Sequence, residues 1–152
     1  EDIDLAEDLG RALRVVMDPA SWPVMVNCTA GKDRTGLVIA LALSAAGVDR
    51  DAVIADYAET EANLAGDWVT EMLDRMHASG YVPTASLEQI ISASPPELIE
   101  AILARIDADY GSVAAYLRAN GLTDADLALL GRVLIMPADV DPTTATPKET
   151  RA

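Results

Sequence analysis

Apolar residues recur at helical spacing along most of the chain. Leu5, Leu9, Leu13 and Val16 share one face of a helix predicted over residues 4–18. Asp18-Pro19 and Ser21-Trp22-Pro23 break it. Val24-Met25-Val26 is a short β-branched run, and it predicts a strand over 24–27. Leu37-Val38-Ile39-Ala40-Leu41 then lies in a helix over 34–46, closed by Gly47. Asp49 caps the next helix, with Val53, Ile54 and Tyr57 on its apolar positions, and Gly66 interrupts. A helix over 67–78 ends at Ser79-Gly80, and Tyr81-Val82-Pro83 reads as a linker. Ser86 starts a short helix through Leu87, Ile90 and Ile91. Ser94-Pro95-Pro96-Glu97 has the cap, the first-turn proline and the acid that open a helix, here over 94–109. Two more helices fall at 112–120 and 123–136, separated by Gly121. Residues 137–152, rich in Pro, Thr and Asp, read as a disordered tail after a single domain over 1–136.

The pattern thus gives about seven helices and one clear strand. A buried lone strand leaves its edge hydrogen bonds unmade, so residues 24–27 need partner strands from elsewhere. The expectation is that this chain is the C-terminal part of a longer domain. The missing sheet strands would be supplied upstream, or by a separate N-terminal fragment.

Composition narrows the chemistry. A hydrophobic fraction of 51% over 152 residues supports a real core, and the absence of Phe means it is built from aliphatic residues and Met. The net charge of −14 argues against nucleic acid as a partner, because such binding needs Lys and Arg to neutralise phosphates. No run approaches the roughly 20 apolar residues of a membrane span. The compartment is left open between cytoplasm and secretion. One cysteine and one histidine, Cys28 and His77, provide no disulfide, no zinc cluster and no multi-histidine site. Neither a metal nor a cofactor is expected. His77 and the acids Asp49, Asp51, Asp56, Glu59 and Glu61 read as structural or solvated groups.

The exception to this blandness is residues 27–36, Asn-Cys-Thr-Ala-Gly-Lys-Asp-Arg-Thr-Gly. They place a cysteine between a strand and a helix start, with an arginine six positions on. Backbone N–H groups at such a loop point inward and favour negative charge, and the same field lowers a thiol pKa. Arg34 adds a planar fork for two phosphate oxygens. Gly31 permits positive φ or a close backbone approach. A Walker phosphate loop is excluded: Gly31-Lys32 is followed by Asp33 rather than Ser or Thr.

The string Cys28-Thr29-Ala30-Gly31-Lys32-Asp33-Arg34-Thr35 resembles the signature loop of bacterial tyrosine phosphatases, relatives of the dual-specificity and phosphoinositide phosphatases. The resemblance extends through Gly47-Val48-Asp49, Ile54-Ala55-Asp56-Tyr57 and Tyr110-Gly111-Ser112-Val113, so it covers roughly residues 5–136. It implies an α/β fold, a cysteine-phosphatase-like parallel sheet flanked by helices. It also implies hydrolysis of a phosphotyrosine protein or another phosphomonoester, with release of inorganic phosphate. Cys28 would be the nucleophile, Arg34 the clamp on the phosphoryl oxygens and Asp33 the general acid. Residues 28–35 together would bind the phosphate, with Lys32 adding charge and Thr35 donating its hydroxyl to the thiolate. Each has a plainer role beside this one: core packing for Cys28, a surface ion pair for Arg34, capping for Asp33 and Thr35, and solvent exposure for Lys32.

One position departs from the family pattern. Asn27 stands where the family carries a histidine beside the cysteine. A neutral amide holds loop hydrogen bonds but carries no positive charge. With the late start of the chain, this keeps a rival open: a weakened or inactive module that binds phosphate without turning it over. An arsenate-reductase chemistry would need more cysteines than one. The segment from Leu64 to Ile91, with Met72 and Met76 on one face, is expected either to cover the pocket as a mobile flap or to pack as static helices.

Overall fold

The computed structural model describes residues 5–135. They form eight α-helices and one 3-10 turn: α1 (Leu5–Met17), the turn Pro19–Ser21, α2 (Asp33–Ala46), α3 (Arg50–Leu64), α4 (Asp67–Ala78), α5 (Ala85–Ser92), α6 (Pro96–Tyr110), α7 (Val113–Ala119) and α8 (Asp124–Leu134). The expected tail at 137–152 lies outside the described residues.

The centre of the molecule is α2. Ala40, Leu41 and Ala42 are buried in succession, so the middle of this helix is covered over a broad arc rather than along one narrow stripe. It packs against α1, α3, α7 and α8. The outer helices present regular stripes: Ile99, Leu103 and Ile106 of α6, Val113 and Leu117 of α7, Leu127 and Leu130 of α8. Leu13 and Met17 of α1 complete the core from the other side. Local chemistry fixes the helix starts. Asp49 accepts from the Asp51 N–H at 2.9 Å, Ser112 accepts from Ala115 at 3.0 Å, and Thr123 and Asp126 form a reciprocal capping box.

Among the described residues, the core takes nothing from α4 or α5. The apolar residues of α4 are half-buried at most, and the helix packs on α3 and α5. This pair is an appendage to the bundle.

Two expectations need correction. No β-strand occurs among the described residues, and residues 24–27 form an irregular segment without a ladder. Val24 and Val26 are half-buried while Met25 is 86% exposed, the in–out alternation of a strand. Pairing is what is missing, because the described residues offer this segment no neighbouring edge. The second correction concerns α6. It begins at Pro96, and Ser94 does not cap it: the Ser94 hydroxyl is buried without a hydrogen-bond partner. The Ser94 N–H is instead drawn to the Glu61 carboxylate, Oε2, at 2.9 Å.

Candidate active site

The loop between residues 24–27 and α2 curls around Cys28. Gly31 turns it with φ +68°, a conformation that suits a residue without Cβ. The Gly36 N–H closes the first helical bond onto the Lys32 carbonyl at 2.6 Å. All eight residues from Cys28 to Thr35 therefore belong to one continuous turn and helix start.

Cys28 is half-buried. Burial pushes its thiol up, but the Thr35 hydroxyl and the peptide N–H groups of Thr35, Ala30 and Lys32 stabilise the anion and outweigh it, leaving the pKa lowered to about 6. The thiolate is then the favoured form at neutral pH. The Thr35 Oγ1 is buried, and its hydroxyl is among the groups that lower the thiol pKa.

Arg34 stays exposed and reaches back over the loop, donating to the Thr29 hydroxyl at 2.9 Å. That bond ties the two ends of the turn and holds the guanidinium at its mouth. Asp33 occupies the first helical position, where a carboxylate is favoured by the helix dipole.

Lys32 points the other way. It is 3% exposed, and its Nζ donates to the Ala93 carbonyl at 2.7 Å and lies 3.3 Å from Asp33 Oδ1. A buried ammonium is tolerated only when partnered in this manner. The expected solvent-exposed or phosphate-facing side chain is thus a brace that spans from the loop to the α5–α6 junction.

Tyr57 on α3 completes the surroundings. Its ring is 4% exposed and lies against Gly36. Burial, with a contribution from the charge of Asp33, raises the pKa of its hydroxyl. The sequence pattern marks Tyr57 only as an apolar helix position. The signal for its role is Gly36, a glycine inside an apolar helix where a side chain would otherwise be expected. Ala93, Ser94 and Glu61 carry no signal in the sequence. Asn27 is exposed at the loop entrance, and His77 is exposed on α4. Among the described residues, no cluster of His, Cys, Asp and Glu is arranged to hold a metal ion, and no helix is long and apolar enough to cross a membrane.

A sulfur anion, converging N–H donors and a guanidinium within eight residues suit a tetrahedral oxyanion. Comparison with known proteins agrees. Residues 3–136 match the model of the tyrosine phosphatase family. The chain is 33% identical over 129 residues to the triple specificity protein phosphatase PtpB of Mycobacterium tuberculosis, covering 80% of this chain and 47% of that protein. It is 38% identical over 96 residues to a putative tyrosine-protein phosphatase of Cupriavidus necator, covering 62% and 34%. It is 28% identical over 109 residues to a tyrosine-protein phosphatase of Nostoc commune, covering 70% and 37%. The chain spans less than half the length of these curated relatives.

Proposed function

The chain belongs to the tyrosine phosphatase family, and from that premise we propose that it hydrolyses phosphate monoesters through a phosphocysteine intermediate. The Cys28 thiolate attacks phosphorus in line with the leaving oxygen. The S–P bond forms as the P–O bond breaks, and Asp33 passes a proton to the departing alkoxide or phenoxide. Water then attacks the phosphocysteine. The S–P bond breaks, the thiolate returns, the water proton goes to the Asp33 carboxylate and inorganic phosphate leaves. Arg34 and the N–H groups of residues 29–35 hold the three equatorial oxygens as charge spreads over them. Lys32 contributes here through its peptide N–H, and Thr35 steadies the sulfur as it leaves.

The observation that carries this reading is the loop itself: Cys28 sits among the backbone N–H groups of the Gly31 turn and the α2 start, with Arg34 held at its edge by Thr29. The substrate class extends from phosphotyrosine proteins to other phosphomonoesters, including phosphoserine and phosphoinositide headgroups. An α/β domain belongs to the proposal too, with residues 1–136 as its C-terminal part and the segment 24–27 paired in a parallel sheet.

Turnover of an aryl phosphate, with one phosphoryl group added to Cys28 in rapidly quenched protein, tests the reading. Cys28→Ser should abolish turnover and retain inorganic phosphate binding, because the N–H cradle and Arg34 remain. Undiminished turnover in that variant removes Cys28 from the mechanism. Asn27 favours one second reading, a phosphate-binding module without catalysis. Phosphate binding by the parent chain without measurable turnover would select it.

A further inference from the structure

The loop that carries Cys28 is held from behind as well as from within. Lys32 precedes α2 with dihedrals that are not helical, so the helix ladder does not fix its peptide N–H. Yet that N–H is one of the donors to the Cys28 sulfur. Its carbonyl is held by the Gly36 N–H at 2.6 Å, and its side chain adds a long-range anchor, the 2.7 Å bond from Nζ to the Ala93 carbonyl. The next residue, Ser94, is fixed in turn by its N–H bond to Glu61 of α3. The path therefore runs from α3 through the α5–α6 junction to the loop, 61 residues away in sequence from Lys32 to Ala93.

We propose that Lys32 is a positioning residue for the Cys28 sulfur: its buried ammonium, fixed on the Ala93 carbonyl, locks the loop backbone, and the junction braced by Glu61 is a working part of the site. This deepens the phosphatase reading, since it concerns the same sulfur. It is tested on the thiol alone, without substrate, so its failure is separable from failure of that reading.

The charged and titratable groups around the path are Asp33 and Arg34 on the loop side and Tyr57 and Glu61 on α3. The first turns of α5 and α6 carry Glu88 and Glu97, both exposed. Removing the Lys32 charge would raise the thiol pKa by field alone, so that variant does not isolate positioning. Glu61 does. Loss of its negative charge would by field alone favour the thiolate and lower the pKa. Loss of its brace on Ser94 frees the junction, loosens Lys32 and raises it. The two mechanisms predict opposite signs.

The experiment measures the rate of Cys28 alkylation by iodoacetamide against pH in the parent chain, Lys32→Met, Lys32→Arg and Glu61→Ala. Circular dichroism establishes folding. The expected result is a midpoint raised by about one pH unit in Lys32→Met. Lys32→Arg, which keeps charge and donor, should show a smaller rise, and Glu61→Ala a small rise as well. A folded Lys32→Met with the parent midpoint overturns the proposal. So does a lowered or unchanged midpoint in Glu61→Ala, which decides alone if Lys32→Met fails to fold. An unchanged midpoint in Lys32→Met, with loss of the protection that inorganic phosphate gives Cys28, makes the ammonium an anion ligand and also overturns it.

Discussion

The ring of Tyr57 occupies the space where a side chain at residue 36 would stand. A Cβ built on Gly36 would meet Tyr57 Cδ2 at 2.7 Å and Cε2 at 2.8 Å. The ring lies on bare helix backbone, one turn from Asp33 and two residues past Arg34. This contact joins α3 to the start of α2 and sets how the loop meets the bundle. Gly36→Ala should overpack it and cost about 1–3 kcal/mol. Because both residues share one contact, the double variant Gly36→Ala/Tyr57→Ala should be less destabilised than the two single losses added together. Urea unfolding of the four proteins measures the coupling. Full additivity would mean that the two residues do not press on one another.

Arg34→Lys should retain positive charge but lose the planar fork and the bond to Thr29. A point charge on a flexible stem cannot hold two phosphoryl oxygens in fixed geometry. Turnover of an aryl phosphate should fall about 100- to 1000-fold, as expected when one preorganised donor to transition-state charge is removed. Steady-state kinetics at saturating substrate checks this. A loss below fivefold would take Arg34 out of the transition state.

The helices and the loop were legible because both are local. Apolar spacing located α1, α2, α3 and α4 to within a few residues, and Asp49 caps as its position implies; Ser112 and Thr123, legible only as helix starts, prove to be caps as well. The grouping of Cys28 to Thr35 follows from adjacency in the chain. What escaped depends on distant contacts. Nothing in the sequence connects Lys32 with Ala93, so a lysine that reads as a phosphate-facing or solvent-exposed charge proved to be buried. Nothing marks Ser94 as drawn to Glu61 rather than capping α6. The segment 24–27 has the alternation of a strand, but a strand is a relation between two segments, and pattern supplies only one of them. Tyr57 looked like any core position because periodicity reports burial, not what the buried ring touches.

The α4–α5 pair should be the least protected part of the bundle. α6 buries Ile99, Leu103 and Ile106, whereas α4 buries no residue fully. Local opening should therefore cost less in α4. Hydrogen exchange should be faster across 67–78 than across 96–110 in the free protein. If this segment also covers the pocket, exchange in it should slow when vanadate occupies the loop. Equal protection with and without vanadate would identify α4 and α5 as a static appendage.

The thiol of Cys28 separates two sources of activation, the loop itself and the residue before it. Its pKa is lowered to about 6 against the opposing effect of burial, by the Thr35 hydroxyl and by peptide N–H groups, with Asn27 beside it instead of a histidine. The anion is the form these donors favour. Alkylation should therefore be fast above pH 6 and decline as pH falls through that value. Thr35→Val removes the hydroxyl while keeping shape, and it strands no other polar group, since Oγ1 is buried without a hydrogen-bond partner. Its alkylation midpoint should move up, so that the thiolate fraction near pH 6 drops severalfold while folding is unaffected. Asn27→His adds an imidazolium at an exposed position, where solvent and salt screen its charge. It should move the midpoint down by less than about half a unit, within the usual reach of a screened neighbour. Parallel alkylation profiles of the two variants and the parent compare the effects directly. A larger shift in Asn27→His than in Thr35→Val would mean that the residue before the cysteine, not the hydroxyl and N–H cradle, governs the nucleophile.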